Sequence, residues 1–286
     1  MAKIDRLGWA AGLAFVTYGA HIGIRVNDPA VVARLLPYLP PGWKPAASPV
    51  VDYLCSLWVG GSARPGLRHF HLLHGNAALV ARTLVLEDVC DVLESLLHFS
   101  VALAARRRLF VHAGVVGWHG RAIVIPGRSM SGKTTVVEAL VRAGATYYSD
   151  EYAVFDRHGR VHPYPKPLSI REKPGAPPRK CPVEELGGRT GARPLPVGLI
   201  AVAAYSPGAK WRPRVLSPGQ AVVALLDNTI LARIRPDIAL PTLQRAALGA
   251  TTLRGKRGEV QEVAEALLHG LEEQPRPLPQ VAQCHL

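Results

Sequence analysis

Residues 127–134 read Gly-Arg-Ser-Met-Ser-Gly-Lys-Thr, a match to G-x-x-x-x-G-K-[ST], and no other stretch limits the fold so tightly. The apolar run Ala122-Ile123-Val124-Ile125 leads into it, and Val136, Val137, Leu140 and Val141 follow at helical spacing up to Gly144. Strand, glycine-rich turn and helix in that order define a phosphate-binding loop in an α/β layer. The residue types follow from the task. Successive backbone N–H groups must point at phosphate oxygens, and Gly127 and Gly132 carry no Cβ to block the approach. Lys133 is then placed to reach the β and γ phosphates, and the Thr134 hydroxyl to hold Mg²⁺. The expected nucleotide cradle is Gly127, Arg128, Ser129, Met130, Ser131, Gly132, Lys133, Thr134 and Thr135, with ATP and Mg²⁺ as the expected ligands.

A nucleotide loop alone does not separate a kinase from a motor or a transporter ATPase, so the nearest carboxylates carry more information. The segment after the loop helix, residues 145–149, reads as a strand and ends in Asp150-Glu151. From that position one carboxylate can bind Mg²⁺, directly or through water, while a neighbour accepts a hydroxyl proton. Successive residues of an extended segment face opposite sides, so the two acids cannot line the site equally. Asp150 is the first choice as general base or metal ligand and Glu151 the second; with Thr134 they make the expected metal set. Leu216-Ser217-Pro218-Gly219-Gln220 resembles the signature of transporter ATPases, but no apolar run ending in Asp-Glu follows it. Ser217-Pro218 is expected instead to open a helix as cap and first residue.

Around this centre the pattern predicts one long strand over residues 12–26, a helix over 28–37, strands near 50–59 and 68–84, and a helix over 86–107. Arg106, Arg107 and Arg108 are expected in the last turn of that helix, where they complement its dipole. A domain boundary follows it. Residues 1–107 are expected to form a smaller N-terminal α+β domain, with a role in substrate recognition or packing, and residues 108–272 the phosphate-loop domain. The second domain opens with a hairpin turning at residues 118–121, and another, with arms at 152–156 and 161–170, follows the acids. Residues 172–196 lack any hydrophobic period and read as a long loop. Strands over 197–205, 211–215 and 251–254 and helices over 217–225, 241–248 and 259–271 complete the domain, and residues 273–286 read as a disordered tail.

With 286 residues, 48% of them hydrophobic, the chain is long enough for one large or two modest cores. Residues 7–24 carry no formal charge, but Thr17, Tyr18 and His21 interrupt them, so a strand is expected rather than a signal or membrane segment. Cys55, Cys90, Cys181 and Cys284 are widely spaced and read as reduced thiols of a cytoplasmic protein. The formal net charge of +13 fits an anionic partner, but no basic cluster with interleaved aromatics marks a nucleic-acid platform, and nucleic acid is not the expected partner. His69, His71 and His74 lack an acid or cysteine to complete a metal set. Lys166, Arg171 and Lys173 are candidates for neutralising transferred charge or for holding an acidic substrate.

Taken together, His112-Ala113-Gly114-Val115-Val116, the hairpin into residues 127–135, and Ala145-Thr146-Tyr147-Tyr148-Ser149-Asp150-Glu151 resemble the HPr kinase/phosphorylase superfamily, whose nucleotide site is related to that of phosphoenolpyruvate carboxykinase. The resemblance covers residues 108–170. It implies a mixed sheet with β-hairpins flanking the phosphate loop, Lys133 and Thr134 on phosphate and Mg²⁺, Asp150 or Glu151 on the hydroxyl proton, and His112 orienting or polarising the acid. The family's Arg-Gly-Leu-Gly signature has no match here, and the acidic pair is Asp-Glu rather than two aspartates. The resemblance is therefore to the divergent HPr-kinase-like proteins, some of which phosphorylate peptides in biosynthetic clusters, lasso peptide precursors among them. It implies transfer of the γ-phosphoryl group of Mg·ATP to a serine of a peptide or protein. No membrane partner is expected, and the sequence leaves open whether the chain forms a homo-oligomer. A small-molecule kinase of the shikimate or nucleoside type and a non-catalytic nucleotide-binding protein are the alternatives.

Overall fold

The uncharged run that opens the chain folds back on itself. Strand β1 (Ala11–Thr17) turns at Tyr18 and Gly19 and returns antiparallel as β2 (Ala20–Val26). Both turn residues have positive φ, 49° and 82°, the type I′ geometry that matches the twist of paired strands. Two strands therefore replace the single one expected over residues 12–26. The computed structural model describes residues 3–61, 69–128, 131–171 and 179–273, and the expected tail lies almost wholly outside them. The chain divides into two compact units, Met1–Arg108 and Leu109–Leu286.

In the first unit, Asp28 caps a short helical segment that includes α1 (Val32–Leu35). It is followed by β3 (Lys44–Pro45), β4 (Tyr53–Trp58), the hairpin β5 (His71–Gly75) and β6 (Ala78–Thr83), and helix α2 (Leu86–Ala104). The described strands form a six-stranded sheet in the order β3-β1-β2-β4-β5-β6. Val89, Leu93, Leu97 and Val101, at spacings of four, make the buried stripe of α2. The helix ends at Ala104, one turn sooner than expected, so Arg106, Arg107 and Arg108 lie beyond it and do not serve its dipole. No helix among the described residues is long and apolar enough to cross a membrane.

The second unit begins with the hairpin β7 (Leu109–Trp118) and β8 (Arg121–Pro126), turning at His119 and Gly120 with φ of 47° and 78°. Then come α3 (Lys133–Arg142), β9 (Thr146–Ser149), β10 (Tyr152–Phe155) and β11 (Arg160–His162). The next elements are β12 (Leu168–Ile170), β13 (Arg179–Cys181), β14 (Leu195–Tyr205), β15 (Arg214–Leu216) and α4 (Pro218–Leu226), and the unit closes with α5 (Pro236–Leu248), β16 (Thr251–Arg257) and α6 (Val260–Glu272). The described strands form an eight-stranded mixed sheet in which β8, β14 and β16 run parallel, β7 lies antiparallel to β8, and β15 antiparallel to β16. On one face, Ile123 and Ile125 of β8 meet Val137, Leu140 and Val141 of α3 and Leu267 and Leu271 of α6. On the other, Ala122 and Val124 meet Leu225 of α4 and Leu243 and Ala247 of α5. The fold is α/β, with helices on both faces of the sheet. Two expectations fail on prolines and pairing. Pro163, Pro165 and Pro167 cannot donate to a ladder, so the strand expected over 161–170 splits into β11 and β12. β12 pairs with β13 inside the stretch expected to be a loop.

Helix α3, ten residues long, is too short to be stable by itself. Val136, Val137, Leu140 and Val141 are buried beneath it, each contributing about 1.5–3 kcal/mol. Its close approach depends on Gly114 of β7, where an added Cβ would lie 2.5 Å from Val137 Cγ2. Gly114→Ala should destabilise the second unit by about 1–3 kcal/mol through overpacking. Urea unfolding should show this as a lower midpoint at unchanged slope.

Candidate functional site

β8 delivers the chain to Gly127, and α3 starts at Lys133 behind Gly132. Gly127 is confined: a Cβ there would lie 2.6 Å from Ser131 Oγ. Gly132 has φ of 80°, and the space its Cβ would need is filled by the Arg257 guanidinium, which donates to Gly132 O at 3.0 Å. Lys133 Nζ donates to Arg128 O at 2.7 Å, and Ser131 N donates to the same carbonyl at 3.2 Å. The ammonium thus closes the loop around one backbone oxygen. Ser129 and Met130 of the expected cradle lie outside the described residues; Thr135 is exposed in the first turn of α3.

The acidic pair occupies a break in a strand. β9 and β10 lie end to end along the same edge of β7, with Ser149 opposite Val115 and Tyr152 opposite His112. Asp150 and Glu151 fall between them, anchored by Ala113 N donating to Glu151 O at 3.1 Å, while Ser149 Oγ accepts from the N–H groups of Glu151 and Tyr152. Asp150 is 5% exposed. Its Oδ2 accepts from Thr134 Oγ1 at 3.1 Å and from Ser169 N at 3.4 Å, so the second residue of α3 and the acid one strand later are in direct contact. Glu151 is only partly buried and forms an ion pair with Lys166. The two acids therefore have different environments, and they differ at a bend between two strands rather than by alternation along one extended segment.

Tyr147 sharpens the difference. Its hydroxyl lies 3.1 Å from Asp150 Oδ1 and 2.8 Å from Lys166 O, and a phenol has one proton to donate. The phenol is thus a donor shared between the Asp150 carboxyl and the Lys166 carbonyl. Burial pushes the Asp150 pKa up, helped by the Glu151 charge; Lys166 and the Thr134 and Ser169 bonds oppose it. Burial lowers the Lys133 pKa while Asp150 and Glu151 draw it back up. His112 is half-buried with its ring 4.8 Å from that of Tyr152, and burial lowers its pKa, so the imidazole is neutral at pH 7. Among the described residues, no hydrogen bond joins its ring to either acid. Its backbone is the better connected part: His112 O accepts from Gly127 N at 3.1 Å, tying β7 to the start of the loop.

Thr134 and Asp150 offer hard oxygen donors that fit Mg²⁺. Lys133 and the glycine-lined loop fit phosphate. The chain matches no protein-family model and no curated protein.

Of the other candidates, Lys166 joins the site through Glu151, Arg171 lies one residue past β12, and Lys173 falls outside the described residues. Ser217 opens α4 as expected: its Oγ accepts from Gln220 N and Gln220 Oε1 accepts from Ser217 N, a capping box. The sequence reading missed Tyr147, Ser169 and Arg257. The first stands in the quoted strand, three residues before Asp150, and the other two carried no local signal.

Folding raises the Asp150 pKa, so the folded state holds more protons than the unfolded chain between the two values. That stabilisation is complete below the unfolded value, about pH 4, and is lost as pH rises through the folded one. In metal-free protein, urea stability measured from about pH 4 to neutrality should fall more steeply for wild type than for Asp150→Asn, which has no carboxyl to titrate.

Proposed function

We propose that the chain is a Mg·ATP-dependent kinase that transfers the γ-phosphoryl group to a serine hydroxyl of a peptide or protein. The observation that carries this reading is the Thr134–Asp150 hydrogen bond, with Glu151 next in sequence but differently exposed. It unites a loop hydroxyl and a carboxylate able to hold one cation, and leaves a second carboxylate beside them for a proton. The acceptor class rests on the resemblance to divergent HPr-kinase-like proteins.

In this reading the loop and the Lys133 ammonium hold the β and γ phosphates, and Thr134 and Asp150 hold Mg²⁺, which supplies charge neutralisation at the phosphate oxygens. Glu151 is the base. As the acceptor oxygen bonds to the γ-phosphorus, the bond to the β–γ bridging oxygen breaks, and the hydroxyl proton passes to the Glu151 carboxylate. Glu151 suits this task better than Asp150, because Asp150 is enclosed by Thr134, Tyr147 and Ser169. Lys166 holds Glu151 in place until the acceptor arrives, and its ammonium then lies close to the charge that develops on transfer. His112 is a positioning residue, fixing Tyr152 through its ring and the loop through its carbonyl.

Incubation with γ-labelled ATP, Mg²⁺ and serine-containing peptides should yield labelled peptide. Lys133→Ala and Asp150→Asn should each abolish transfer, and Glu151→Gln should lower kcat by about 10²–10⁴-fold with nucleotide binding retained. Transfer that survives both Lys133→Ala and Asp150→Asn overturns the site, and label appearing only on a small metabolite overturns the acceptor.

A further inference from the structure

Beside the loop lies a cavity of about 640 Å³. It runs from Ser131, Gly132 and Thr135 to the ends of β14 and β16, where Tyr205 and Arg257 are register partners, and on to Glu259 and Val260 at the start of α6. That volume is within the range of sites for small molecules, roughly 300–1,000 Å³. The position also fits a ligand. β8, β14 and β16 are parallel, and the cavity lies past the carboxyl ends of β14 and β16, where open α/β sheets receive their ligands.

Arg257 gives the cavity its chemistry. It is 4% exposed, donates to Gly132 O, and holds its guanidinium 5.2 Å from the Tyr205 ring centroid. Among the described residues no carboxylate pairs with it. A buried guanidinium without an acid is costly unless an anion completes it, and its planar fork of donors suits a phosphate. The contact with Gly132 places that phosphate in the same ligand as those held by the loop. Tyr205 is 61% exposed, an aromatic face open at the cavity and backed by Arg257, which suits stacking on a planar ring. Glu259 repels phosphate, so the phosphates belong at the Ser131 and Arg257 end and the uncharged part of the ligand toward Ala204 and Val260.

We propose that this cavity seats the nucleoside end of the triphosphate, with Arg257 on an α- or β-phosphate oxygen and Tyr205 stacked on the base. This rests on the reading of residues 127–134 as a triphosphate loop and adds where the base lies and which two residues hold it.

Calorimetric titration with Mg·ATP and with magnesium tripolyphosphate, which has no nucleoside, tests it. Tyr205→Ala should weaken ATP by about tenfold or more and leave tripolyphosphate unchanged. Tyr205→Trp should bind ATP as well as wild type, and Arg257→Gln should weaken both ligands. Where Arg257→Gln fails to fold, Arg257→Lys is measured and should also bind both more weakly, since it keeps the charge but loses the fork. The proposal is overturned if Tyr205→Ala leaves ATP unchanged or weakens both ligands equally, or if the folded Arg257 variant binds tripolyphosphate like wild type. Lys133→Ala separates the two levels: loss of both ligands there, with Tyr205→Ala unaffected, keeps the loop reading and sinks this one, whereas wild type binding neither ligand sinks both.

Discussion

Two backbone hydrogen bonds from adjacent residues of β7 hold the candidate site together. His112 O accepts from Gly127 N, and Ala113 N donates to Glu151 O. Together they fix the start of the phosphate loop and the acidic pair to one strand, so distances across the site follow from the sheet rather than from flexible side chains. The strand can do this because it is ten residues long and its two edges are used differently. β8 pairs along one edge, while β9 and β10 share the other and leave a break opposite Ala113 and Gly114. A continuous ladder there would leave no room for Asp150 to turn toward Thr134.

The site concentrates buried charge, of which the rest of the unit holds little beyond Arg121 and Asp156 among the described residues. Lys133, Asp150 and Arg257 are all buried, the first in the loop motif and the other two in contact with it through Thr134 and Gly132, in a unit whose other buried positions are mostly apolar. Each loses hydration on folding, and the pKa directions record it: the carboxyl of Asp150 is pushed up, the ammonium of Lys133 and the guanidinium of Arg257 down. Apolar side chains of like volume would serve stability as well or better. Buried charges with opposed shifts are what a site needs to bind phosphate and metal together.

The loop was legible because its motif is local, and so was the hairpin ahead of it, whose turn carries Gly120. The turn at Tyr18 was not, because a tyrosine at positive φ gives no sign of a turn and the apolar pattern runs through it. Asp150 and Glu151 were legible as a pair, but their separate roles were not. What distinguishes them is Tyr147, Ser169 and Lys166, and the last two reach the site through a segment broken by three prolines. Arg257 was hidden for a different reason. The strand pattern ended at residue 254, and one arginine in a chain with 34 lysines and arginines cannot be recognised as buried from its neighbours.

The division between the two acids decides how the chemistry can run. A general base must be within reach of the acceptor hydroxyl. Asp150, enclosed by Thr134, Ser169 and the Tyr147 phenol, is better suited to a cation, whose charge offsets its burial. Glu151 keeps partial exposure, with Lys166 as its ion-pair partner. The break between β9 and β10 separates the two acids: Asp150 turns to Thr134 and Ser169, while Glu151 meets Lys166.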